Sequence, residues 1–176
     1  GFAIKVAPNG VMQWNKLYLN KDTMTIDFQN GIQTDDGGFL FAGVSHNFQG
    51  GAKPLDFFAN LVSIVRTDVN GNNIWNKGMV FGAPTEETNQ VNNFSCGMFN
   101  DSNAFVSFLI QDSSVNVSKF AITSFNINTG VTNWTKYYSL PAFQEFNIRK
   151  AIADGLGNVI VTGNDYNIQS GAIFKI

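Results

Sequence analysis

Apolar positions along this chain fall in short runs separated by clusters of Asn, Asp and Gly. Runs at 2–6, 61–66 and 120–125 each lead into a glycine turn and return through a segment bearing a Trp. The turns are Pro8-Asn9-Gly10, Asn70-Gly71 and Asn128-Thr129-Gly130. Short apolar runs bounded by turn residues predict strands joined as hairpins, and Asn-Gly is a strong signal because both residues tolerate positive φ. A second kind of hairpin follows. Residues 26–32 enter Thr34-Asp35-Asp36-Gly37-Gly38 and leave through 39–44. Its counterparts are Asn100-Asp101-Ser102-Asn103 before 104–110, and Asp154-Gly155-Leu156-Gly157-Asn158 before 159–163. These outgoing strands are apolar at successive positions, which predicts cover on both faces by stacked sheets. Gly43 and Gly163 at their ends predict close approach of neighbouring backbones. No helical stripe is present. Residues 85–93 carry Glu86-Glu87 but only Val91 as an apolar anchor, so a long loop is predicted there, as at 47–57 and 112–118.

The hairpins repeat. Gly10-x-x-x-Trp14-Asn15-Lys16 recurs as Gly71-x-x-x-Trp75-Asn76-Lys77 and as Gly130-x-x-x-Trp134-Thr135-Lys136, with steps of 61 and 59 residues between tryptophans. Gly1-Phe2-Ala3-Ile4-Lys5-Val6 reads like Gly171-Ala172-Ile173-Phe174-Lys175-Ile176. A fixed period of this size marks a supersecondary unit that buries its apolar face by stacking on copies of itself. The units are predicted at 1–59, 60–118 and 119–170, with 171–176 opening a fourth. Trp14, Trp75 and Trp134, at equivalent positions, are predicted to form a packing ladder between units. The fold expected is all-β: three four-stranded antiparallel units plus one extra terminal strand.

Composition agrees with a turn-rich β protein: 17 Phe, 17 Gly and only 14% charged residues. A net charge of −2 offers no basic face for nucleic acid. No run reaches the roughly 18 apolar residues of a membrane-crossing helix. No charged-then-apolar leader opens the chain, and the numbering is expected to begin inside a longer precursor or after processing. Cys96 is the single cysteine, expected as a small buried hydrophobe.

The pattern Ile4-Lys5, Asn9-Gly10, Trp14-Asn15-Lys16, Thr34-Asp35-Asp36-Gly37-Gly38-Phe39 and Ala42-Gly43 resembles the β-propeller repeats of large secreted and surface proteins. The first unit matches throughout. The middle unit has Asn100-Asp101-Ser102-Asn103 in place of the double glycine, and the third has Asp154-Gly155-Leu156-Gly157. The resemblance implies four-stranded blades packed face to face and a scaffold without catalytic residues. Three units and a strand fall short of the four blades at which propellers usually close.

Candidate chemistry is sparse. His46 is the only histidine, expected in the loop after Val44, and one His with one Cys makes no zinc cluster. Asp35-Asp36 and Glu86-Glu87 are adjacent pairs, which point to opposite faces of an extended chain. Asp68-Val69-Asn70-Gly71-Asn72 alternates oxygen donors as calcium loops do, but no Glu completes it, and a hairpin turn is expected. Four N-glycosylation sequons begin at Asn93, Asn100, Asn116 and Asn133; Asn93 and Asn116 are the best placed, in expected loops. No catalytic, cofactor or metal residue is assigned. The function expected is a non-catalytic extracellular or cell-surface scaffold, structural or adhesive. Its partners would be copies of itself or adjoining repeats of a parent protein, joined through terminal strands into an assembly or filament. The alternative is a module binding carbohydrate or calcium on its loops.

Overall fold

The computed structural model describes residues 1–20, 24–47, 61–80, 89–112, 117–139, 146–165 and 170–175. They form antiparallel strands and turns, with no helix among the described residues. Four sheets follow one another in chain order. The first holds β1 (Phe2–Val6) and β2 (Met12–Leu17). The second holds β3 (Leu19–Asn20), β4 (Met24–Gln33), β5 (Phe39–Asn47), β6 (Leu61–Thr67) and β7 (Asn73–Val80). The third holds β8 (Asn89–Asn100), β9 (Asn103–Asp112), β10 (Val117–Asn126) and β11 (Thr132–Ser139). The fourth holds β12 (Phe146–Ala153), β13 (Val159–Asp165) and β14 (Ser170–Lys175).

The all-β expectation holds, but the strands are shared out differently. Sheets of two, five, four and three strands replace three equal four-stranded units. The second and third sheets each join the second hairpin of one sequence unit to the first hairpin of the next: β4–β5 with β6–β7, then β8–β9 with β10–β11. The physical cause is burial. β5, β6, β9 and β10 are apolar on both faces, so they take the central places, and the unit boundary falls between them. The surplus terminal strand is β14, which pairs with β13.

Both faces of the central strands are covered. Ala104, Val106 and Phe108 of β9 face Leu40, Ala42, Val62 and Ile64 of the second sheet. Phe105 and Leu109, one residue out of phase, join Phe120 and Ile122 against Ile148, Val159 and Val161 of the fourth. Val65, Ile26 and Tyr18 close the first sheet on the second. The side-chain period of two thus builds three cores from one stack. Phe105, Phe108, Phe120 and Phe125 are fully buried, each contributing about 1.5–3 kcal/mol by leaving water.

The sheets also approach along one set of strands, β4, β8 and β12. Each of these strands is bulged. At the bulges, side chains of one sheet accept backbone N–H groups of the next. Asn30 Oδ1 accepts from Cys96 N at 3.1 Å, and Ser95 Oγ accepts from Ala151 N at 2.9 Å. Gly43 meets the bulge of β4: a Cβ there would lie 1.8 Å from the Asp27 carbonyl oxygen, so no other residue fits.

Three local expectations are corrected. Residues 89–93 belong to β8, because Asn89, Gln90 and Val91 pair with β9. His46 lies within β5, its backbone paired with Thr25, and not in a loop. The Asn-Gly turns hold only their glycines at positive φ: Gly10 at 82° and Gly71 at 74°. Each is a longer turn ending in a glycine bulge, with Gly10 N bonded to Ala7 O and Gly71 N to Asp68 O. Glu86-Glu87 and residues 48–57, 84–88 and 113–116 of the expected loops lie outside the described residues.

Candidate functional site

The repeated Trp-x-Lys motif sits on β2, β7 and β11, the outermost strand of its sheet at the side away from β4, β8 and β12. Alternate residues of a strand share a face, so 14, 16 and 18 act together, as do 75, 77 and 79. On β2 and just beyond it, three donors grip the β6–β7 turn of the next sheet. Trp14 Nε1 donates to Val69 O at 3.2 Å, Lys16 Nζ to Asn72 Oδ1 at 3.0 Å, and the Tyr18 hydroxyl to Gly71 O at 2.8 Å. The grip recurs on β7 against the β10–β11 turn. Trp75 Nε1 donates to Ile127 O at 2.9 Å, and Lys77 Nζ to Gly130 O at 3.0 Å and Thr132 Oγ1 at 2.7 Å. The turn glycines seat on the indoles: a Cβ on Gly71 would lie 3.1 Å from Trp14, and one on Gly130 3.1 Å from Trp75. Glycine is needed there both for its positive φ and for this closeness.

Among the described residues the third copy of the motif meets no such turn. Trp134 lies beside Phe99 of its own sheet, ring centroids 6.0 Å apart, and Lys136 hangs over the indole at 5.4 Å. Among the described residues the Trp134 indole N–H meets no acceptor. Lys136 is exposed where Lys16 and Lys77 are half-buried. Over Trp134 opens a cavity of about 600 Å³ lined by Phe99, Asn100, Asn133, Gly155 and Gly157 among others. The first turn shows the converse: nothing lies within 4 Å of a Cβ on Gly10. Among the described residues, Trp134 is thus a grip without a turn and Gly10 sits in a turn without a grip.

The Asp68 loop is built as a turn. Asp68 Oδ1 accepts the N–H groups of Asn70 and Asn72, both at 2.8 Å, and Oδ2 accepts the Asn72 amide at 2.9 Å. These bonds, the Asn72 amide foremost, hold its carboxyl below the usual range. Asp154 makes the same set with Leu156 and Asn158. The oxygens that suggested calcium thus face N–H donors.

Sequence reasoning missed Arg66, a guanidinium buried to 2% exposure inside a β sheet. It pairs with Asp36 and donates to the Thr67 carbonyl. A Cβ on Gly38 would lie 2.2 Å from its Nη1 and 2.3 Å from the Thr67 carbonyl oxygen, which together explain the second glycine of the Asp-Gly-Gly turn. In the third sheet the equivalent residues are Ser124 and Asn103, small opposite large where the second sheet has large opposite small. There Asn133 donates to both, to Asn103 Oδ1 at 2.8 Å and to Ser124 Oγ at 3.3 Å. The double glycine was the legible trace of Arg66.

The sequon asparagines do not share one setting. Asn93 is half-buried in the β8 bulge at φ 57°, its N–H bonded to Gln29, and Ser95 of that sequon is fully buried. Asn100 is exposed where the β8–β9 turn begins, and Asn133 lies exposed on β11. Asn116 lies outside the described residues. Cys96 is buried, and burial pushes its thiol up to about 12. No group of three or more His, Cys, Asp or Glu converges among the described residues. Compared with models of protein families and with curated proteins, the chain matches neither a family nor a curated sequence.

Proposed function

We propose that this chain is a segment of a β-propeller-type array that serves as a non-catalytic structural or adhesive scaffold at the cell surface or outside the cell. The observation that carries the proposal is the twice-repeated grip of Trp and Lys on the next sheet's turn. It gives successive sheets one constant relation at their outer side, while the bulge bonds from Asn30 and Ser95 tie them on the inner side. The approach of successive sheets along β4, β8 and β12 supports this reading, since propeller blades also converge along one strand of each blade. The chemically capable side chains support a scaffold, because Asp36, Arg66, Asp68, Asp154 and Lys77 hold turns and neighbouring sheets. Self-association through terminal strands would be a heterologous contact, which generates rings or filaments. Electron microscopy of the purified chain over a concentration series is the test. Rings or filaments that grow with concentration are expected; isolated monomers throughout would end the proposal.

A second reading, carbohydrate binding, draws on the open Trp134 ring beside Asn100 and Asn133. The amide of Asn133 is already bonded to Asn103 and Ser124, which leaves fewer donors for a sugar. A glycan array in which Trp134→Ala removes a positive signal would promote it.

A further inference from the structure

We propose that Asn100, where the β8–β9 turn begins, is the acceptor of an N-linked glycan. The inference rests on the extracellular placement in the scaffold reading and adds a modification site to it. Three N–H groups hold the Asn100 side-chain oxygen: those of Ser102 and Asn103 at 3.0 Å each, and the Asn103 amide at 3.2 Å. Two of these donors are backbone groups, so which end of the amide is oxygen and which is nitrogen follows from the bonds. Nδ2, the atom that takes a glycan, meets no acceptor among the described residues. The turn has no need of that nitrogen. In the fourth sheet Asp154 starts the β12–β13 turn, and one carboxylate oxygen accepts from Leu156 N and Asn158 N. Asn100 therefore carries a nitrogen that its turn leaves unused, with the Ser102 hydroxyl two residues on.

The other described sequons commit the groups that transfer needs. Asn100, Asp101 and Ser102 are all exposed. Asn93 is half-buried, Phe94 and Ser95 are buried, and the Ser95 hydroxyl holds Ala151 of the fourth sheet. Asn133 Nδ2 donates to Asn103 Oδ1 and to Ser124 Oγ, which uses both of its protons. Asn126 caps the β10–β11 turn as Asn100 caps its own, but Asn128 stands where a sequon has Ser or Thr. The co-substrate is an oligosaccharide on a lipid diphosphate, presented by a membrane-bound transferase. Asn100 Nδ2 forms a bond to C1 of the first sugar as the bond from C1 to the diphosphate oxygen breaks. The lipid diphosphate leaves with that electron pair, and one amide proton passes to a base of the transferase.

The test sends the chain, behind a cleavable leader, through the secretory pathway of cultured eukaryotic cells. Intact mass is read before and after enzymatic release of N-glycans, which leaves an aspartate at the linked position. A glycan mass is expected, with the new aspartate mapped to position 100. Asn100→Asp keeps the oxygen that the turn uses, so it should fold with an unchanged urea midpoint and lose that glycan altogether. Ser102→Ala should lose it too, with Asn100 still in place. Glycans at Asn93, Asn116 or Asn133 but not at Asn100 would overturn the assignment, and so would an unmodified chain. Mass and microscopy keep the two readings apart. An unmodified chain that still forms rings or filaments overturns the acceptor and leaves the scaffold standing; a modified chain that stays monomeric does the reverse.

Discussion

At the scale of single residues, the fold depends on a few side chains whose neighbours leave no slack. Gly38 and Arg66 are one such pair, and the third sheet solves the same place with Asn103 and Ser124. Gly38→Asn is expected to lose about 2 kcal/mol or more through overpacking against the guanidinium. Gly38→Asn with Arg66→Ser should recover the part of that loss due to the guanidinium, the Thr67 carbonyl oxygen at 2.3 Å from that Cβ staying in place, with a coupling of about 1–3 kcal/mol in urea unfolding. Additive losses would show that the two residues are independent. Two carboxyls set the acid limit. Asp36 is held low, first by the Thr34 hydroxyl and further by Gly38 and Arg66, and Asp68 is held low by Asn72. A carboxyl whose folded pKa is depressed stabilises the fold fully above its unfolded pKa of about 3.9, and this is lost as pH falls through the folded value. The urea midpoint should therefore hold from pH 7 to about pH 5 and drop by pH 3, and the drop should shrink in Asp68→Asn. Cys96, with its thiol raised to about 12, should resist alkylation in the folded protein and react fully in denaturant. Rapid native labelling would contradict its burial.

At the scale of strands and turns, most of the architecture was legible. The hairpins and the doubly apolar strands of residues 39–44 and 104–110 appear in the structure as read. What the sequence did not disclose has physical causes. Sheet membership was misassigned because a repeat unit is a unit of sequence, whereas the sheet forms around whichever strands need cover on both faces. The bulges at 28–30, 92–95 and 148–150 leave no local signature, since their defining residues act on a neighbouring sheet. The Trp14 and Trp75 indoles each meet a turn of the next sheet, whereas Trp134 lies beside Phe99 of its own sheet. The three equivalent positions should consequently respond differently. Trp75→Ala removes a seat for Gly130, an edge contact with Phe125 and a hydrogen bond, and should lose about 2–4 kcal/mol. Trp134→Ala should lose under about 1 kcal/mol in the dilute monomer. Equal losses by chemical denaturation would refute the difference in occupancy.

At the scale of the whole molecule, the grips join sheets in one order, each tryptophan and lysine holding the turn of the sheet that follows. Among the described residues the Trp134 indole meets no such turn, and a cavity lies over it. The chain contains three tryptophans, so the indole N–H protons form a set of three NMR signals that reads every grip at once. The decisive measurement is their exchange with water, followed from dilute to concentrated protein. The Trp14 and Trp75 protons should exchange slowly, held by Val69 O and Ile127 O, while the Trp134 proton exchanges fast in dilute solution. Three indoles exchanging alike at every concentration would contradict the grip as the element that joins the sheets.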